Sequence, residues 1–371
     1  MEVARQCAVP AGHALAVDRN AFSAAVTETI SRQPLIHVRR EEVTRVDESH
    51  GITIIASGPL TSDQLSQEIA RLTGGTHLFF YDSISPIVEA DSIDMGRVYK
   101  AARYDKGTAD YINCPMTAED YGRFYEALLA AESVEARDWE RLNYFEACLP
   151  IEEIARRGRD TLRFGPMKPV GLRDPRTGRQ PYAVVQLRQE NLRADSYNVV
   201  GFQNHLKFGE QARVLRLIPG LETARFLRYG QIHRNTYINA PTLLNKCLQL
   251  KSHPNVFFAG QICGVEGYVE SIAAGLMAGM YAAALAAGLE PEAPPHATAL
   301  GSLVHYVTQA DAKNFQPANI TFDLLPPLEQ KVRDRAQRHR LQCERALQEV
   351  DPWLKRSTQR PQREAEVVKI G

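Results

Sequence analysis

Two glycine-bearing turns, six cysteines and a run of arginines are the parts of this 371-residue chain whose residue types and spacing could do chemistry. The first turn follows the stretch Asn255-Val256-Phe257-Phe258-Ala259. It reads Gly260-Gln261, then Gly264-Val265-Glu266-Gly267-Tyr268, and opens an Ala/Gly/Met-rich run to Ala287. A short apolar strand leading through glycines into a small-residue helix is what a buried parallel strand with a closely packed crossover helix requires. The arrangement gathers unpaired backbone N–H groups and the positive end of a helix dipole at one point. Such a point favours an anionic or electron-rich group, and the pyrimidine edge of a flavin or a pyrophosphate would serve. A purely structural βα unit has the same pattern. The second turn, with Gly58 and Pro59, ends an apolar stretch at 52–56 and precedes a helix start. Its N–H groups either face a ligand or belong to an ordinary strand-to-helix turn.

The cysteines, at 7, 114, 148, 247, 263 and 343, include no CxxC pair and no cluster with histidine at metal-ligand spacing. Neither a disulfide framework nor a metal site is expected, and the plain reading of each is a small buried hydrophobe. Charge is patterned although the net charge is zero: residues 1–155 carry 14 basic and 25 acidic side chains, whereas residues 156–193 carry 10 basic and 3 acidic. The second stretch includes Arg156, Arg157, Arg159 and Lys168. It is either solvated surface or the footprint of a polyanionic partner.

The elements that must hold these residues can be read from periodicity and caps. Helices are expected at 18–30, 62–72, 117–132, 151–157 and 328–350, and strands or extended stretches at 35–40, 52–56, 183–187, 197–201 and 255–261. Residues 314–327 are Pro- and Asn-rich and read as an extended segment draped on a surface. With 44% hydrophobic residues the length suffices for two cores. No run approaches the roughly 20 apolar residues of a membrane span, and the first residues lack a signal-peptide stretch, so a cytoplasmic protein is expected.

The strand-and-turn sequence VFFAGQ…GVEGYVES resembles the closing FAD-binding element of the glucose-inhibited-division-like flavoproteins that modify tRNA uridines. Further blocks are similar to the folate-dependent tRNA uracil-5-methyltransferase branch: VPAGHALAVDR (9–19), IIASGPLTS (54–62), RYDKG (103–107), YINCPM (111–116), FEACLPIE (145–152), FGPMKPVGL (164–172), PYAVVQLRQ (181–189), IHRNTYIN (232–239) and NFQPANITFDLLPPL (314–328). The resemblance spans about positions 3–330. It implies an α/β fold, an FAD/NAD(P)-binding domain interrupted by a mixed α+β insertion. The expected pieces are 1–61 and 251–295 for the FAD-binding domain, 62–250 for the insertion and tRNA domain, 296–350 for a C-terminal segment and helix, and 351–371 for a tail. The implied reaction takes a one-carbon unit from 5,10-methylenetetrahydrofolate, with FAD as carrier and reductant and NADH or NADPH as electron source. It places a methyl group on C5 of a T-loop uridine, position 54, of tRNA. Uracil C5 is a poor nucleophile until a thiolate adds to C6, and the family's nucleophile-type cysteine matches Cys148, with Ala147 in place of the usual glycine. His233, Arg234 and Asn235 match a polar block near folate and flavin, where Arg234 can pair with a folate carboxylate or an RNA phosphate. The tRNA T-arm is the implied partner, with no membrane and no stable protein partner.

Family members also carry an initial strand with a G-x-G-x-x-G fingerprint and a CSNSLR cysteine block ahead of VPAGHALAVDR. Neither is found in this chain, and Cys7 lies in a different block. Three explanations are open: a start placed too far downstream, a genuine truncation, or a variant whose missing strand is supplied otherwise. Two alternatives stand beside the enzyme reading. One is a truncated, non-catalytic tRNA-binding relative. The other is the sister branch that modifies wobble uridines, from which FEACLPIE and NFQPANITFDLLPPL point away.

Overall fold

Apolar residues alternate along Tyr111–Met116, so Ile112, Cys114 and Met116 enter the core while Asn113 faces the other way. Asn113 is fully buried too, and its amide is satisfied by the carbonyls of Ala101 and Tyr111 and by Gln186. In the computed structural model, which describes residues 1–48, 51–75, 78–134 and 149–358 (without the side chains of 78–83, 232–234 and 358), this strand belongs to a six-stranded sheet. The order is Phe226–Arg228, Ile87–Glu89, Ser196–Val199, Ala183–Gln189, Tyr111–Met116 and Tyr99–Ala101, antiparallel throughout. Helix Ala118–Leu129 covers it, started by a capping box between Thr117 and Asp120, with Tyr121, Phe124 and Leu128 buried at helical spacing. Loss of that cap would cost about 1 kcal/mol.

A second core surrounds two short parallel strands, Thr53–Ile55 beside His253–Phe258, with Val256 opposite Thr53 and Phe258 opposite Ile55. Strand Gln249–Leu250 pairs antiparallel on the other side. Helix Tyr268–Ala286 packs on the parallel pair through Ala274, Met277, Ala278 and Tyr281. At 19 residues it is long and apolar enough to cross a membrane by length and composition alone, which corrects the expectation that no run approaches that size. Its small residues supply the apolarity, and its inward stripe serves the sheet. Helix Asp63–Thr73 is capped by Ser62 and ended by left-handed Gly74.

The chain divides into two compact units, Met1–Arg40 with Phe80–Arg234, and Glu41–Phe79 with Asn235–Gly371. These boundaries differ from the expected 61/62 and 250/251. Residues 1–40 are stitched to the six-stranded unit by Gly12 N–H to Asp110 and Leu192 N–H to Asp18. Residues 35–40 form no strand, and Leu35 stands exposed: an apolar run without a partner strand or a covering layer gains nothing by extending. The last helix is Arg335–Thr358, later in starting than expected and reaching into the expected tail. It is held there by Trp353, buried, whose indole N–H donates to the Glu292 carbonyl at 3.0 Å, and by Arg356 on the Glu292 carboxylate at 2.7 Å.

Candidate functional site

Both glycine-bearing turns leave the carboxyl ends of the adjacent parallel strands, the place where open α/β sheets bind ligands. After Ile55 the chain turns through Gly58 at φ +74°, with nothing within 4 Å of where a Cβ would stand. Thr61 Oγ1 donates to the Gly58 carbonyl at 2.8 Å, and Thr236 N–H donates to the Pro59 carbonyl at 2.8 Å. After Phe258, Gly260–Cys263 forms a 3-10 turn that is tied to Ile238 N–H through the Ile262 carbonyl. Gly260, Gly264 and Gly267 all have left-handed backbones, at +76°, +87° and +93°.

The segment after Asn314 completes this turn. Ala318 N–H donates to the Gly264 carbonyl and Glu266 N–H donates to the Ala318 carbonyl, at 3.0 and 2.9 Å. Phe315 is the nail: it is buried between Tyr237 and Tyr306, and a Cβ at Gly264 would stand 2.5 Å from its ring. Gln261 Nε2 bridges both Glu266 carboxylate oxygens at 3.2 Å. Gly267 is the N-cap of helix Tyr268–Ala286 and supplies no side-chain cap, while the Glu270 carboxylate lies where a Gly267 side chain would begin. Tyr268, 86% exposed, stands at the same helix start.

In the six-stranded unit, residues 202–207 form a strut that fastens both ends of the segment containing Cys148. On one side Val134 N–H donates to the His205 carbonyl and Lys207 N–H to the Glu132 carbonyl, at 2.8 and 2.9 Å. On the other, Ile151 N–H donates to the Gln203 carbonyl at 2.7 Å, and His205 N–H donates to Glu152 Oε1 at 2.7 Å. Glu152 Oε2 is buried and has no hydrogen-bond partner among the described residues. Burial lifts the Glu152 carboxyl to about 7, against the lesser effects of its two backbone N–H bonds. Desolvation pushes the His205 imidazole down to about 4. A cavity of about 360 Å³ opens elsewhere in this unit, lined in part by Arg97, Asp120, Arg176 and Tyr182. Its charges are matched locally, Arg97 by Glu222, Arg176 by Asp174 and Asp120 by Arg123, so it offers no net charge to an ionic ligand.

The family model for glucose inhibited division protein A matches residues 1–290. The methylenetetrahydrofolate–tRNA-(uracil-5-)-methyltransferase TrmFO of Koribacter versatilis is 73% identical over 358 residues, covering 95% of this chain and 81% of that protein. Its namesake from Solibacter usitatus is 62% identical over 362 residues, with the same coverage. The chain belongs to this TrmFO family. The fold likeness extends further: Aquifex aeolicus GidA superposes with a TM-score of 0.60 at 17% identity, over 79% of this chain and 52%, about half, of that one.

For this TrmFO-family chain, the structure brings Gly58, Pro59, Gly260, Gln261, Gly264, Val265, Glu266, Gly267 and Tyr268 into one unit, at the ends of paired strands. Asn235 is buried on strand Gln231–Tyr237, while Cys148 and the side chains of His233 and Arg234 lie outside the described residues. Arg156, Arg157, Arg159 and Lys168 are all exposed on the six-stranded unit. Arg156 is paired with Glu153, and the Arg159 guanidinium sits 5.7 Å from the Tyr125 ring centre. Cys114 and Cys263 are buried, with burial raising both thiols, Cys263 to about 12, which keeps them neutral. Sequence reasoning passed over Glu152, Glu270 and Phe315. Each lies inside a quoted block, but only its contacts in the fold set it apart.

Proposed function

We propose that this chain forms 5-methyluridine at T-loop position 54 of tRNA, in the cytoplasm, with 5,10-methylenetetrahydrofolate as carbon donor, FAD as carrier and reductant, and NADH or NADPH as electron source. The tRNA uracil-5-methyltransferase activity and its folate and FAD belong to the family, and the position, the electron source and the compartment are the finer part of the reading. One observation carries it: two glycine turns at the carboxyl ends of adjacent parallel strands, on a chain 73% identical to a methyltransferase of that name.

The turns fit a flavin. Open space stands where a Gly58 side chain would be, and the Gly267 helix start presents backbone N–H groups without a side-chain cap. Because the Glu270 carboxylate already lies over that start, the turn suits a neutral hydrogen-bonding edge such as the flavin pyrimidine better than an anionic pyrophosphate. Gly260, Gln261, Gly264, Val265, Glu266 and Gly267 would hold that edge, with Gly58 and Pro59 on the neighbouring strand end. FAD, when bound, supplies the carrier for the one-carbon unit and the electrons that turn a methylene into a methyl. Cys148 is the nucleophile in this reading. Its thiolate adds to uracil C6, the C5–C6 electron pair becomes an enolate that makes C5 nucleophilic, and loss of the C5 proton later expels the thiolate. Asn235, His233 and Arg234 serve folate or RNA, and Arg156, Arg157, Arg159 and Lys168 serve the RNA backbone.

The test is a methylation assay with tRNA and methylenetetrahydrofolate on the FAD-loaded chain, the modified position being mapped and Cys148→Ser run beside it. Methylation at position 54 in the parent, and none in the variant, is expected. Full 5-methyluridine from Cys148→Ser would remove Cys148 from the mechanism. Modification at the wobble position would move the chain to the sister branch. Salt-sensitive tRNA binding with neither flavin nor methylation would leave only a binding protein.

A further inference from the structure

Two surface loops in the six-stranded unit are joined at a pair of residues with unusual backbones. Tyr104 and Asp105 are consecutive non-glycine residues with left-handed backbones, φ +58° and +53°, an arrangement that L side chains rarely adopt and that clusters at functional sites. Tyr104 N–H donates to the Gly171 carbonyl at 2.6 Å, and the Tyr104 ring lies so close to Gly171 that a Cβ there would stand 2.9 Å from it. Arg103 secures the same junction, donating to the Val170 carbonyl and to Gln186 Oε1, each at 2.8 Å. Tyr104 is nevertheless 60% exposed, so its side chain is no part of the core.

The two joined segments are rich in cations. Lys106, Lys168 and Arg173 lie within three residues of Tyr104 or Gly171, and all are exposed. None makes an ion pair within 4.0 Å among the described residues. Of the acids nearby, Asp174 is committed to Arg176 and Asp110 to Gly12 N–H, leaving Asp105. An exposed aromatic side chain on two joined segments that carry cations without an ion pair suits a surface that stacks an unpaired base and follows its phosphates.

We propose that Tyr104 is a stacking platform for an unpaired base of the RNA substrate, with Lys106, Lys168 and Arg173 neutralising the adjoining phosphates. The proposal rests on the tRNA reading above and adds a contact surface to it. Gly171 is the seat that lets the ring lie down, and the left-handed backbone aims it outward.

Equilibrium binding of tRNA to the full chain, by fluorescence anisotropy, tests it with Tyr104→Phe, Tyr104→Gly and the double variant Lys106→Gln/Lys168→Gln. Tyr104→Phe keeps the ring face and is expected to bind within about two-fold of the parent. Tyr104→Gly is expected to lose about ten- to a hundred-fold in affinity. Its melting temperature should hold or rise, because glycine accepts the left-handed backbone without strain. The double lysine variant should flatten the dependence of log affinity on log salt by roughly 1.4 to 1.8. Unchanged tRNA affinity in Tyr104→Gly, in a chain that still methylates tRNA, overturns the platform and leaves the function standing. A parent chain that neither binds nor methylates tRNA overturns both.

Discussion

Glu152 and His205 show how two buried titratable side chains act in opposite senses. The folded protein keeps a proton on Glu152 from about pH 4.5 to about 7, where the unfolded chain has released it, so this contribution to stability is lost as pH rises through that window. His205 stays neutral in the fold down to about pH 4, while the unfolded chain gains a proton below 6.5, so its contribution is lost as pH falls. The neighbouring charges on Glu152, Glu153 raising and Arg156 lowering, are minor beside burial. Between about pH 4.5 and 6.5 the two slopes offset each other. Glu152→Gln is expected to uncover stability that climbs from pH 4 to 6.5, and His205→Asn stability that falls from pH 4.5 to 7. Urea midpoints at several pH values check this, and parallel curves for the two variants would sink it. None of it could be read from the sequence. An acid in the first turn of Ile151–Arg156 looks like an ordinary helix-start residue, and what buries it arrives from 53 residues away.

At the scale of elements, local signals were legible and long-range ones were not. Asp18, Ser62 and Thr117 mark three helix starts correctly because capping depends on residues within a turn of the cap. Residues 35–40 mislead because a strand needs a partner, and the end of Arg335–Thr358 misleads because Trp353 is anchored by residue 292. The glycines of the 260–279 region can be told apart only with coordinates. Gly264→Ala meets the Phe315 ring on a left-handed backbone and is expected to cost about 2–4 kcal/mol. Gly275→Ala, inside the helix with nothing within 4 Å of the new methyl, is expected to stabilise by about 0.5–1 kcal/mol. Urea unfolding of both variants measures the contrast, and equal effects would refute the account of Phe315 as the nail of this turn.

Over the whole molecule, the family, the α/β class and the two glycine turns could be recognised from ordered sequence blocks, whereas the division into units could not. The chain passes between the two units near residues 40, 79 and 234, and hydrophobic periodicity carries no mark of such crossings. Two cores allow ligand linkage to be read unit by unit. Trp353 is buried in the unit that holds the glycine turns, and replacing Trp139 with Phe leaves it the sole indole reporter. FAD at a hundred times its dissociation constant is then expected to stabilise the Trp353-reported transition by about 2.7 kcal/mol. A transition indifferent to FAD would place the flavin elsewhere.

The strut at residues 202–207 has a consequence for covalent continuity. Since backbone hydrogen bonds secure the chain just before residue 135 and just after residue 148 to one extended stretch, the peptide bonds between those points are not what keeps the two sides together. A single cut within 135–148 should therefore leave two fragments that co-purify, each stem still held by residues 203–207.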